Sequence, residues 1–497
     1  MGGANEVTPL LNGAKEKLQK QHKWLPTFFF NIFFACVSFS IIMPSLAPYI
    51  MQMGAPLDFL PWVVAVYSGG EILGSLVFGW IYEKSFQVLP GGQGPRLSMI
   101  SCIVVGLVGS AMYVVADWIE SPWLVFWARG VQGLWTGGQQ CIEQAYLSAV
   151  VEKENRTELT ATLSSFAVLG FIMGPSFGAL FAGLGDGVYV GPIELNMYNA
   201  PGIFIFGVTV IMLVITLANF DGSVREDVKQ AAEAAGNGDA TGLVAGRSYV
   251  GLYICLWIFF VHYYSFAVQE TVTTPLAMHL YDWTPLEVNL LFVGAGLLSL
   301  LTSLCVKYLT RVFADSTLLV FSLVVGLAGC VLLVDVPVEE PVKGAGYGNR
   351  VHGDQPSLSL WRFLVGFALI TVAFPFGRNV TLGVFSNVLG PGPQGLWMGV
   401  MLAVGAIPRT LGPFSAIWVL EEVNWQTYLE FGSCAILFMV GLMVAVTFLQ
   451  HLKAHEDEEK ALLVRKSRSA HSQEWAQDSP APRSPMLSRR SSSMSIE

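Results

Sequence analysis

The polar stretch Asp221-Gly-Ser-Val-Arg-Glu-Asp-Val-Lys-Gln-Ala-Ala-Glu-Ala-Ala-Gly-Asn-Gly-Asp-Ala-Thr-Gly-Leu-Val-Ala-Gly-Arg-Ser248 divides a chain of 497 residues that is otherwise dominated by long apolar segments. A helix that crosses the hydrocarbon core needs about 20 mostly apolar residues. Only a helix pairs its own backbone groups in lipid, so apolar segments of that length read as spans. They fall at 26–51, 60–82, 97–117, 122–150, 159–184 and 200–219 before the polar stretch, and at 249–278, 286–309, 316–337, 359–388, 395–420 and 426–450 after it. The fold class is therefore an all-α membrane protein with twelve transmembrane helices in two six-helix halves. The halves are 26–219 and 249–450, with tails at 1–25 and 451–497 and a central loop at 220–248. Two half-repeats around a hydrophilic middle are the layout of transporters whose substrate site lies at the midplane between them.

Composition agrees with this reading. The chain is 53% hydrophobic and 13% charged and carries 51 glycines, as closely packed helices in lipid require. No room is left for a large catalytic domain. No nucleotide-binding loop, nucleophile triad or metal-ligand cluster is legible, so an enzyme, a metal centre, a cofactor and a nucleic-acid partner are not expected. All seven cysteines fall within the spans, where Cys acts as a small hydrophobe.

Lys and Arg set the orientation. Lys15, Lys17, Lys20 and Lys23 precede the first span, and Lys84, Arg96, Lys153, Arg156, Arg225, Lys229, Lys307 and Arg311 fall in loops on the same side. Loops on the other side are acidic, apart from Lys343 and Arg350 in the loop 338–357. The positive-inside rule puts both termini and the central loop in the cytosol. In the amino-terminal tail, Glu6, Leu10 and Leu11 fit an acidic dileucine signal, read by clathrin-adaptor-type sorting machinery. The last stretch, from Lys466, is rich in Ser, Arg and Pro with no apolar period, and reads as disordered.

Two spans carry matched glycine–proline sites: Gly170, Gly174, Pro175 and Gly178 in the fifth, Gly412 and Pro413 in the eleventh. Gly allows helices to approach and Pro frees a carbonyl, which suits helices that rock. The fifth-span run, Arg129-Gly-Val-Gln132-Gly133 in the fourth, and Gly79-Trp-Ile-Tyr-Glu83-Lys84 after the second resemble motifs of the major facilitator superfamily. The last departs from the family signature, with Glu for Asp and few basic residues. Leu169 to Pro175, Tyr281-Asp282-Trp283-Thr284 and Leu389-Gly390-Pro391-Gly-Pro393-Gln394-Gly395 are similar to the ceroid-lipofuscinosis-type lysosomal branch of that superfamily, the domain-containing protein eight family. The resemblance implies the major facilitator fold, a lysosomal, late endosomal or vacuolar membrane, and gating roles for Gly79, Glu83 and Lys84. Glu143 departs from a position that looks basic in that family, a change that bears on substrate charge.

Ionisable residues inside spans are the candidate substrate or coupling-ion residues, because a charge at the bilayer centre is costly unless it meets a partner or water. They are Glu71, Arg129, Glu143, Glu270, Arg378 and Arg409, together with Gln132; His262 fits a hydrogen-bonded structural role. In the fourth span Arg129, Gln132, Thr136, Gln140 and Glu143 recur at spacings of three or four and share one face, expected to meet water. Arg129 and Glu143 are about 21 Å apart along the helix and cannot pair. The expected pairs are Glu71 with Arg129 and Glu270 with Arg409, with Glu71 and Glu270 as proton sites and the arginines holding an anion. Three readings follow: a proton-coupled secondary transporter of a small solute, an anion among the candidates; an anion (chloride) channel on the same scaffold; and a non-transporting receptor or scaffold acting through its tails.

Overall fold

The computed structural model describes residues 24–56, 59–88, 93–182, 188–190, 193–224, 249–283, 285–335, 358–390, 394–422 and 427–447. The dileucine signal at Glu6, Leu10 and Leu11, most of the central loop and the carboxyl tail lie outside these residues.

The described residues form α1 (Leu25–Ser40), α2 (Met43–Gln52), α3 (Leu60–Val88), α4 (Gln93–Ile119), α5 (Pro122–Val150), α6 (Lys153–Ala182), α7 (Ala200–Asn219), α8 (Tyr249–Tyr281), α9 (Pro285–Leu309), α10 (Asp315–Leu333), α11 (Leu360–Leu389) and α12 (Gly395–Glu422). A last helix, α13, spans Tyr428–Thr447. Between α6 and α7 a short antiparallel hairpin pairs β1 (Val188–Val190) with β2 (Ile193–Leu195). Among the described residues, nine helices are long and apolar enough to cross a membrane. Three expected spans fall short of that measure for separate reasons. α12 is apolar only over Gly395–Leu411. α5 is long, at 29 residues, but polar along its buried face. The first span, expected as one helix, is two: α1 ends at the turn Ile41–Ile42 and α2 restarts with Pro44 in its first turn. Pro lacks an N–H and is tolerated at a helix start, where that donor has no partner, but not mid-helix.

Glycine sets the closest approach in the first half. A Cβ on Gly70 or Gly74 of α3 would strike the backbone of Gly130 or Leu134, and one on Gly133 or Gly137 of α5 would strike Tyr67 or Glu71. Each helix thus presents two glycines four residues apart, the small-residue spacing that lets backbones touch. Glu71 is thereby held against α5 by its own main chain. The fifth-span glycines act similarly: Gly170 abuts Phe33 and Cys36 of α1, and Gly174 abuts Ser40. Gly412 and Pro413 lie within α12.

The second half packs on the first mainly through α12 against α3. Gly399 sits on the Ser75 carbonyl, and Gly79 and Gly395 abut each other's main chain. At the end of the bundle that holds Lys84, polar bonds join the halves. Glu83 accepts a 3.1 Å hydrogen bond from the Leu396 backbone N–H, and Cys141 Sγ donates to Gly395 O at 3.3 Å. The buried Arg156 donates to both oxygens of Ser386 on α11 and to Val151 O and Ser148 O of its own half. Gln394 in turn donates to Ser386 O and accepts from its hydroxyl. Glu158 forms an ion pair with Arg311 and reaches Lys307. Among the described residues, these bonds tie the two halves together at this end.

Candidate transport site at the interface of the halves

The Glu71 carboxylate is reached from the other half. Arg409 of α12 donates to Glu71 of α3 at 2.9 Å. Glu71 is buried, whereas Arg409 keeps about a quarter of its side chain open. Glu71 lies eleven residues into α3 and Arg409 fourteen into α12, so both sit near mid-helix, about 16 and 21 Å from the respective starts. This corrects the expected pairing of Glu71 with Arg129. Depth alone matched those two, but α3 turns the Glu71 carboxylate toward α12 rather than along α5.

Arg129 instead lies fully buried over the Tyr67 ring, 4.4 Å from its centroid, and 5.5 Å from that of Phe39. It also donates to Gln132 at 3.1 Å. Aromatic faces and an amide carry this cation. Glu270 of α8 is exposed and acts on Arg409 through its charge, while the contact hydrogen bond of Arg409 goes to Glu71. The expected Glu270–Arg409 pair is thus displaced by one across the halves.

Two adjoining hollows meet at Glu71 and Gln140. One is lined by Cys36, Phe39, Tyr67, Glu71, Thr136, Gln139 and Gln140 among others. The other is lined by Glu71, Gly137, Gln140, Tyr263, Leu402, Ala406 and Arg409. The polar face of α5 therefore meets the cavity only in its middle. Its two ends, Arg129 and Glu143, are sealed inside protein.

Arg378 of α11 points to the same interface. It donates to Tyr263 Oη at 2.9 Å, to Asn379 Oδ1 at 3.3 Å and to Ser164 Oγ on α6 of the first half. These partners are all neutral. Glu143 accepts one hydrogen bond, from Gln139 Nε2 at 3.0 Å. His262 bonds the Ile258 carbonyl at 2.8 Å and packs against Phe438, a structural placement.

Tyr67, Tyr263, Ser164, Asn379 and the Arg156–Ser386–Gln394 cluster were not singled out from sequence. Uncharged polar residues and a loop-edge arginine look ordinary in a membrane chain. Their signal is the recurrence of Ser, Asn and Gln at helical spacing within apolar runs, as in Ser164 and Asn379.

The sequence model of the major facilitator superfamily matches residues 28–334 and again 255–491. The chain belongs to the major facilitator superfamily. It is 27% identical over 486 residues to "Major facilitator superfamily domain-containing protein 8" of Xenopus laevis, covering 85% of this chain and 92% of that protein. Solved structures share the fold. The human organic anion transporter MFSD10 (TETRAN) superposes with a TM-score of 0.64 at 15% identity, covering 86% of this chain and 99% of that one. The E. coli fucose:proton symporter FucP gives 0.64 at 12% identity, covering 85% and 97%. The protein is thus a multi-pass membrane member of a transporter superfamily, with its polar cavity between halves where superfamily substrates bind.

Proposed function

We propose that this chain is a secondary active transporter that works by alternating access, is coupled to protons, and moves a small anionic solute across a lysosomal or vacuolar membrane toward the cytosol. The observation that carries the reading is the Glu71–Arg409 ion pair, which bridges the halves at the cavity near mid-helix. A carboxylate shared between two moving bodies is exchanged when they separate, so its partner, its hydration and its proton affinity change with conformation. Arg378, whose partners among the described residues are neutral, offers its positive charge to a carboxylate or similar anion. Glu270 supplies an exposed acid on the facing half. Fold relatives named for organic anion transport and for proton-coupled sugar transport accommodate both elements of this proposal. The candidate sorting signal Glu6, Leu10 and Leu11 and the motifs that resemble the lysosomal branch of the superfamily support the address.

The test is proton flux and current in proteoliposomes holding the full chain, with chloride, sulfate and succinate as solutes. Saturable, solute-dependent proton movement that Glu71→Gln or Glu270→Gln abolishes supports the carrier. Arg378, which has no carboxylate partner among the described residues, favours the anion channel as the second reading. Large unitary currents without proton movement would establish it instead. Silence with every solute, together with loss of a cellular phenotype on removing Lys466–Glu497, would favour a scaffold.

A further inference from the structure

Glu143 is the candidate acid that is fully buried yet neither lines a hollow nor forms an ion pair among the described residues. Its side chain is fully buried, its Oε1 accepts from Gln139, and its Oε2 has no hydrogen-bond partner. Gln139 is equally buried, with its own Oε1 unpartnered, yet it lines the first hollow. Glu143 therefore sits one helical turn beyond the cavity wall, connected to it by a single amide. It lies seven residues from the end of α5, on the Lys84 side, where polar bonds tie the halves together. The titratable groups that sense it are the thiols of Cys36 on α1 and Cys102 on α4. Glu71 of α3, Arg409 of α12 and Arg378 of α11 bond elsewhere, and α6 faces this region through Thr160, which bonds Gln144.

An ionised carboxylate without a counter-charge in this setting would cost several kcal/mol. A carboxylic acid supplies its own remedy, because its added O–H is a donor and removes the charge. From this geometry we propose that Glu143 is an internal proton-binding site, exchanging with cavity water past Gln139; the proposal deepens the proton-coupled reading above and rests on it. On loading, water or hydronium in the cavity gives up one proton and an O–H bond forms on Oε2; release reverses both. Gln139 positions the acid, and separation of the halves at the Lys84 end gives the proton its exit.

Infrared difference spectroscopy of the full chain in lipid tests this directly, since the carbonyl stretch of a protonated carboxylic acid stands apart from that of a carboxylate. The expected result is a band that appears reversibly on acidification from alkaline buffer, is lost in Glu143→Gln, and survives in Glu71→Gln and Glu270→Gln. A band unaffected by Glu143→Gln would overturn the site. So would a Glu143 band that never titrates, which marks a sealed structural acid. Gln139→Leu keeps the acid but strips its donor, so the band should shift in frequency, and an unshifted band counts against the assignment even if Glu143→Gln fails to fold. Vesicles driven with succinate and chloride separate the two readings. No coupled proton movement in wild-type vesicles would fell the transport proposal while a titrating Glu143 band stood.

Discussion

Arg409 on α12 reaches across the two halves to the Glu71 carboxylate on α3 at 2.9 Å, and the same stretch of α3 is held by α5 because Gly137 leaves no space beyond the Glu71 main chain. The ion pair is therefore mounted on a rigid support in one half and on a separate body in the other. Removing one partner of a buried pair costs about 3–5 kcal/mol, and the open quarter of Arg409 lowers that to roughly 2. Glu71→Gln should lower the melting temperature of the purified protein and abolish coupled flux. The exchange Glu71→Arg with Arg409→Glu should recover part of the stability; no recovery would show that the pair is not the interaction that matters.

Gly74→Ala and Gly133→Ala each place a methyl group into the backbone of the opposing helix. Overpacking of this kind costs about 1–3 kcal/mol. Gly69→Ala, on the same helix, meets nothing within 4 Å and should be neutral. Melting curves of the three variants check the contrast. Gly137→Ala should in addition displace Glu71 and weaken transport more than its stability loss explains.

Glu83 caps the start of α12 from across the interface through the Leu396 N–H, and Cys141 lies buried at the same junction, bonded to Gly395 O. A cap is worth about 1 kcal/mol. Glu83→Ala should shift the population toward conformations open at the Lys84 end, by roughly fivefold for that energy. Maleimide labelling of a variant that retains only Cys141 reads the opening, and unchanged labelling would remove Glu83 from the gate.

Arg156 spreads its donors over Ser386, Val151 and Ser148. Lys carries the charge but not the planar fork, so it cannot reach three directions at once. Arg156→Lys should behave much like Arg156→Ala in the Cys141 labelling assay. Rescue by Lys would mean that charge alone closes this end.

Among the described residues the partners of Arg378 are neutral, so Arg378→Gln should raise the half-saturating concentration of an anionic solute with little change in melting temperature. A charge-assisted hydrogen bond to an anion contributes about 1.5–3 kcal/mol, or roughly ten- to a hundredfold in affinity. Uptake kinetics across a concentration series check it; an unchanged constant assigns the anion to Arg409, which lines the second hollow.

Nine apolar spans and the ionisable residues within the bundle were legible because each rests on a local cost, whereas the family was read from short motifs. An apolar run in water and a charge in lipid are both expensive wherever the helix ends up, so composition alone exposes them. The face of α5 was legible for the same reason, since helical spacing puts Gln132, Thr136 and Gln140 together without reference to any other helix. Partners were not. Glu71 and Arg409 are 338 positions apart, and their meeting depends on how α12 settles on α3, which the Gly79–Gly395 and Ser75–Gly399 contacts decide. Depth in the membrane narrows the choice of partner to a layer. Rotation of each helix about its axis, set by glycine faces and ring packing between distant segments, selects one partner within that layer, and only the assembled bundle holds that information.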